Sequence, residues 1–349
     1  MQKTTAKIYL NHIRQNAEVF VNLTKKPLCA VVKANAYGHG AVQVVNALES
    51  VADMFAVSLL EEALDIETAA CGKDVLVFTP PFCEEDVLLA AWHGFILTVS
   101  DYATARLVCN TAERYRFPVR VHCKVNTGMN RYGMNVQTLG KACKLLKANA
   151  YVRVEGLYSH LYGNTKAQAE AQRQAFLRAQ KVAKGYFPNL LCHLSATYGT
   201  LLGEEFVFDM TRIGIGLYGY LPSGEKDIIP SLKKGMAVYA TVAATRRYQS
   251  GGAGYGQPLT VTPKDGRLAV LRFGYADGFL REKKENAYAG ARVCNNLCMD
   301  ACICEGNYKK GKCVPIMTDA EKTALVTNTI AYEVLCAATR RAEFVYVWE

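Results

Sequence analysis

Residues 28–40 read LCAVVKANAYGHG, an apolar run that stops on a lysine and continues to a tyrosine set between small residues and glycines. A short apolar run rich in β-branched residues reads as a strand buried on both faces, the kind found in parallel sheets. Outward from it, similar runs recur at 54–58 (MFAVS), 74–79 (DVLVFT), 95–100 (FILTVS), 119–125 (VRVHCKV), 152–160 (VRVEGLYSH), 189–195 (NLLCHLS) and 209–216 (DMTRIGIG). Helical periodicity fills the gaps, at 41–49, 59–70, 84–92, 102–115, 136–149 and 166–184. Eight strands alternating with helices predict an α/β fold, a parallel (β/α)8 barrel over residues 10–225. The competing fold is a doubly wound open sheet, and the lack of a G-x-G-x-x-G after an early strand weighs against it.

Past LYGYLPSGEKDIIP (217–230) the texture changes. Short β-rich runs follow at 237–248, 257–262, 267–275 and 291–294, with glycine and proline between them, and helical periodicity does not return in force. A second, mainly β domain is expected over 226–349, with the N-terminal strand 1–9 packing against it.

Half of the 349 residues are hydrophobic, enough for a sizeable core. No apolar run approaches the ~20 residues that span a bilayer, and the N-terminus lacks the layout of a signal peptide. A cytoplasmic protein without a membrane span is expected. Thirteen cysteines, an odd number scattered through apolar runs, suit reduced core thiols rather than a disulfide framework. The densest group, Cys294, Cys298, Cys302 and Cys304, lacks the paired C-x2-C spacing of a structural zinc site, so no metal is expected. The formal net charge of +10 is spread along the chain without a basic block, and nucleic acid is not an expected partner.

In a parallel barrel the chemistry sits where strands end. Strand one ends on Lys33, and a lysine amine in a desolvated pocket is suited to forming a Schiff base with a carbonyl. Phosphate groups commonly bind after strands seven and eight of such barrels, where backbone N–H groups gather an anion. Here those strands end in HLSATYG, with Ser195, and RIGIGLYG, with its glycines. A Schiff-base lysine and a phosphate cup on one face describe pyridoxal 5′-phosphate.

The segments AVVKANAYGHG, VNTGMNRYG, FDMTRIGIGLYG, GYGQ, GYADGF, CMD and YEVLC occur in this order. The set resembles the alanine racemase family over essentially the whole chain. The resemblance implies a pyridoxal-phosphate enzyme acting as a head-to-tail homodimer with active sites shared between subunits. It implies that Lys33 holds the cofactor and serves as a base on one face of the substrate Cα, while Tyr255 of the other subunit serves the opposite face. By the same resemblance Arg212 bonds the pyridine nitrogen, and Tyr37, Ser195, Gly214, Ile215 and Tyr332 form the phosphate cup. Arg131 and the Met299 backbone hold the substrate carboxylate, His160 lies near the cofactor, and Tyr275 stands at the entrance. Lys124 matches a lysine often carbamylated in this family, a change that lets it pair with Arg131 rather than repel it.

Two departures from the family pattern stand out. Leu194 precedes Ser195 where asparagine is common, and ARVCNNLCMD lacks the usual Gly-Arg pair ahead of Cys298. Tyr332, where a smaller polar residue would admit serine, tilts the substrate toward alanine. The expected activity is interconversion of L- and D-alanine, supplying D-alanine for peptidoglycan. The alternatives are a serine or broad-specificity racemase, and a pyridoxal-phosphate-binding protein of the related barrel type without turnover. The latter would lack the β domain and its tyrosine, which this chain has.

Overall fold

The computed structural model describes residues 4–163, 165–222, 229, 231–252, 254–255, 265–281, 288, 290–294 and 296–348. The chain opens with β1 (Thr5–Tyr9) and α1 (Leu10–Thr24). Then come β2 (Leu28–Val31), a turn α2 (Lys33–Gly38), α3 (Ala41–Leu48), β3 (Met54–Val57), α4 (Leu60–Ile66), β4 (Asp74–Val77), α5 (Glu84–Trp92), β5 (Ile96–Val99) and α6 (Tyr102–Tyr115). The alternation continues with β6 (Val119–Lys124), α7 (Val136–Ala148), β7 (Val152–Tyr158), α8 (Lys166–Lys184), β8 (Leu191–His193), α9 (Thr197–Leu201) and β9 (Thr211–Ile213).

Strands β2 to β9 form one parallel sheet in the order β8-β7-β6-β5-β4-β3-β2-β9. A bridge between Ala196 and Arg212, with the Arg212 N–H donating to the Ser195 carbonyl at 3.0 Å, joins the sheet's two edges and closes the barrel. The runs LCAV, MFAV and ILTV are buried at every position, because side chains filling the barrel alternate with side chains facing the helices. Side-chain caps set the starts of the outer helices: Asp101 for α6, Asn135 for α7 and Thr165 for α8 each accept a backbone N–H three residues on.

The second sheet is built from β10 (Met236–Arg247), β11 (Arg267–Leu271), β12 (Cys302–Glu305), β13 (Cys313–Met317) and β14 (Glu343–Val347) together with β1. The first strand of the chain lies antiparallel to β10 and parallel to β14. A buried Asn16 in α1 ties the two parts together, donating to the Leu217 and Lys233 carbonyls and accepting the Lys233 N–H, all within 2.8–2.9 Å. The boundary expected at 225/226 and the β run expected at 257–262 lie outside the described residues.

Two corrections concern this half of the chain. Residues 291–294 form only isolated bridges, Ala291 with Tyr288 and Val293 with Cys304, rather than a strand. Helix does return, in α10 (Ala320–Thr327) and α11 (Ala331–Ala337). Helices of eight and seven residues are about two turns long, too short for a periodic stripe to stand out. All thirteen cysteines are free thiols. No helix among the described residues is long and apolar enough to cross a membrane.

Candidate active site

The carboxyl ends of the barrel strands open on a cavity of about 550 Å³ that α11 covers from the second domain with Tyr332 and Cys336. Four cationic side chains line it, Lys33, Lys124, Arg131 and Arg212, and among the described residues no carboxylate does. Such a donor set suits an anionic ligand, since four positive charges in a partly dry cleft gain far more from anions than from water.

Lys33 projects from the first residue after Val32, where β2 gives way to α2. The backbone of α2 is left-handed: Ala34, Asn35, Ala36 and Tyr37 all have φ between 51° and 54°. For residues with a Cβ this conformation costs roughly 1–2 kcal/mol apiece, and runs of it persist only where the surroundings over-determine them. The surroundings here are specific. The Ala36 N–H donates to Val32, and the His39 Nδ1–H bridges the Ala36 and Tyr37 carbonyls at 2.9 and 3.0 Å. The Asn35 side chain accepts the Ala41 N–H, and a carboxylate oxygen of Glu62 accepts the Ala34 N–H at 2.6 Å. The turn sends Lys33 and Tyr37 to separate points of one cavity wall. Burial pushes the Lys33 amine below its ordinary pKa and Arg131 lowers it further, while Glu62 acts in the opposite sense.

Tyr37 reaches toward β9. Its hydroxyl lies 2.5 Å from the point a Cβ on Gly214 would occupy, so only glycine lets the phenol approach that backbone. Ile215 begins a short 3-10 turn there, and Tyr332 sits with its ring centre 6.1 Å from that of Tyr37. A phenol, a glycine backbone and a helical turn thus converge at one end of the cavity. Ser195 lies behind the wall. Its side chain is fully buried and its hydroxyl donates to the Phe206 carbonyl, while the neighbouring Ala196 and Thr197 face the cavity.

Arg212 is buried on β9 and held at three points. It donates to the Ser159 and Leu194 carbonyls at 2.6 and 3.0 Å and to His193 Nδ1 at 2.8 Å. A guanidinium can only donate, so His193 accepts at Nδ1 and carries its proton on Nε2, which donates to His122 Nδ1 at 3.0 Å. Burial and the arginine's charge keep His193 far below its ordinary pKa, and burial with Arg120 brings His122 to about 3. Arg212 itself, lowered by burial to about 10, stays charged at neutral pH. The Tyr158 ring stacks on His193, with Arg212 5.3 Å and Lys124 4.4 Å from the ring centre.

Lys124 ends β6 and is buried; desolvation and then Arg212, Arg131 and Lys33 bring its amine down to about 7. His160, just past β7, is pushed well below its usual value by burial and then by Arg212. Arg131 rides on a loop pinned at its base, where Asn126 and Met134 pair and the Asn126 side chain accepts the Gly128 and Asn130 N–H groups. Gly133 has φ of 120°, and a Cβ there would meet the Asn126 nitrogen at 2.5 Å.

Three expected residues are elsewhere. Tyr255, Met299 and Tyr275 lie on the second domain, 81 %, 53 % and 37 % exposed, and none lines the cavity of its own chain. They belong to one neighbourhood: Tyr275 donates its N–H to Cys298, Ala276 donates to Met299, and Gly254 faces the Cys298 thiol. Sequence reasoning missed His193, His122, Tyr158 and Glu62. The alternation of NLLCHLS puts His193 on the same face as Ser195, a signal that direction alone supplies. Nothing in the sequence announces that Glu62 reaches a residue 28 positions earlier.

The fold and the site together define a parallel barrel whose strand ends open on a cationic cavity with a desolvated lysine, completed by a C-terminal β domain. Residues 8–222 match the family model described as alanine racemase, N-terminal domain, and residues 235–346 match the one described as alanine racemase, C-terminal domain. An alanine racemase of Francisella philomiragia is 30% identical over 90% of this chain and 91% of its own length. A solved alanine racemase of Clostridium difficile superposes with a TM-score of 0.89 at 26% identity, covering 99% of this chain and 96% of that one. An alanine racemase of Bartonella henselae, solved with covalently bound pyridoxal phosphate, shares the fold at a TM-score of 0.85 and 24% identity, covering 99% of this chain and 100% of that one. The chain belongs to the alanine racemase family, and it is an enzyme.

Proposed function

We propose that the protein interconverts L- and D-alanine, using pyridoxal 5′-phosphate held by Lys33 and two bases on opposite faces of the substrate. The observation that carries this reading is the desolvated Lys33 amine facing a cavity whose charged side chains, among the described residues, are all cationic. The residues present fit the cofactor: an amine for its aldehyde, the Tyr37–Gly214–Ile215 end for its phosphate, and Arg212 for its ring nitrogen. When bound, the cofactor supplies an electron sink for the pair left behind when the α-proton departs.

This chain's own residues do the rest. Lys33 anchors the cofactor and holds or returns a proton at Nζ on one face of Cα. Arg212, charged at neutral pH and fixed by two carbonyls and His193, presents a donor that it does not surrender, which keeps the ring nitrogen unprotonated and the sink weak. A weak sink favours prompt return of the proton over side reactions. Arg131 offers a fork for the substrate carboxylate, and Tyr332 narrows the cavity toward alanine. Lys124, neutral in part at physiological pH, can add carbon dioxide to form a carbamate and release a proton, giving Arg131 an anionic neighbour.

The second base is Tyr255 from another copy of the chain, with Met299 and Tyr275 beside it; their exposure in one chain supports a dimer whose sites are shared. D-Alanine made in the cytoplasm would serve peptidoglycan. Purified protein with added cofactor in heavy water, given L-alanine or L-serine, tests the reading. Deuterium at Cα and D-alanine are expected, with serine slower; faster serine turnover reassigns the substrate, and binding without exchange on either overturns catalysis.

A further inference from the structure

Glu62 occupies the third position of α4, where a carboxylate ordinarily serves only the helix's own first turn. One of its oxygens does so, accepting the Ser58 and Leu59 N–H groups at 2.7 and 3.1 Å. The other leaves the helix and accepts the Ala34 N–H at 2.6 Å, on the residue that follows Lys33. A single carboxylate therefore joins the carboxyl end of β3 to the first left-handed residue of α2. That residue is the point at which the chain turns from an ordinary conformation into a strained one.

We propose that Glu62 is a positioning residue for Lys33: it pins the front of the left-handed turn, as His39 pins the rear, and so fixes where the amine stands and where a carboxylate stands relative to it. The inference rests on the reading of Lys33 as the cofactor lysine. The side chains that act on the Lys33 amine are Arg131 from its loop, Glu62 from α4 and Cys336 from α11, and Lys33 bears in turn on Lys124 of β6 and His160 after β7. Of these, Glu62 is the carboxylate, and it is the group whose removal leaves the amine facing cations and a thiol.

The test uses cofactor-free protein and measures acetylation of Lys33 by peptide mass spectrometry across pH, alongside cofactor affinity by fluorescence quenching. In Glu62→Gln the half-point of labelling falls by about half a unit or more, because the ammonium loses its anion. Affinity falls about tenfold as the turn loses a charge-assisted bond. Glu62→Asp keeps the charge but is one methylene short, so the labelling half-point stays near that of the parent while affinity falls. Ala34→Gly, which relieves the left-handed strain, restores part of the affinity lost in Glu62→Gln. A Glu62→Gln protein with the parent's labelling profile and affinity overturns the proposal, as does loss of affinity in Glu62→Gln and Glu62→Asp alike with no shift in labelling in either. Labelling needs neither cofactor nor turnover, so its failure is separate from failure of the racemase reading.

Discussion

Lys33 was legible in the sequence because it ends a core strand, where a charged amine is costly without a purpose; Tyr37, Arg131 and Arg212 were picked out by the family resemblance, and the structure lines one cavity with all four. Their partners were not legible, because the decisive contacts link residues far apart in the chain: His193 to His122 and Ala34 to Glu62. The buried histidines carry a consequence at this scale. His39, brought to about 4 by burial, and His122, brought to about 3, are neutral in the folded protein at pH 7, whereas in the unfolded chain each has an ordinary pKa near 6.5. Between those values the unfolded state binds more protons. The stability they contribute is therefore present above about pH 6.5 and is lost as pH falls toward 4, by roughly 2 kcal/mol per histidine between pH 7 and pH 5. Urea unfolding at the two pH values measures this; equal stability at both contradicts it. His39→Asn, which retains a donor for the turn, removes part of the difference.

Among the elements, the eight barrel strands and six of the outer helices follow the sequence pattern closely, since a strand buried on both faces and an amphipathic helix each leave a periodic trace. The α11 helix left none: seven residues, packed against α2, deliver Tyr332 and Cys336 to the cavity without forming a stripe of their own. The left-handed α2 was equally hidden, because Lys-Ala-Asn-Ala-Tyr has no residue that demands positive φ and tertiary contacts alone hold it there. The Arg131 loop makes the element-scale case testable. Gly133→Ala puts a Cβ against the Asn126 nitrogen and shifts the loop, so KM for alanine rises about tenfold while kcat changes less, as expected where a substrate-holding group is displaced. Unchanged steady-state kinetics would contradict the assignment of Arg131 to the substrate.

For the whole molecule, the chain's two ends meet in one sheet. Strand β1 lies between β10 and β14 and leads into the barrel through α1, so the second domain is fixed to the barrel by the first residues as well as the last. That frame places α11 over its own cavity and leaves Tyr255, Met299 and Tyr275 turned outward. The family resemblance picked out these three residues and implied that Tyr255 serves another subunit; that Met299 and Tyr275 are exposed beside it on their own chain comes from the structure. In the proposed mechanism one complete site takes Lys33 from one copy and Tyr255 from another. Mixing two variants, Lys33→Ala and Tyr255→Phe, after reversible dissociation tests this most directly. Each alone should be at least about 10²-fold less active in alanine racemisation. The mixture should recover up to about one quarter of the parent's activity, because half the dimers are hybrids and each hybrid holds one intact site. A mixture no more active than the two variants apart, with hybrid dimers demonstrated by mass spectrometry, would contradict the shared site.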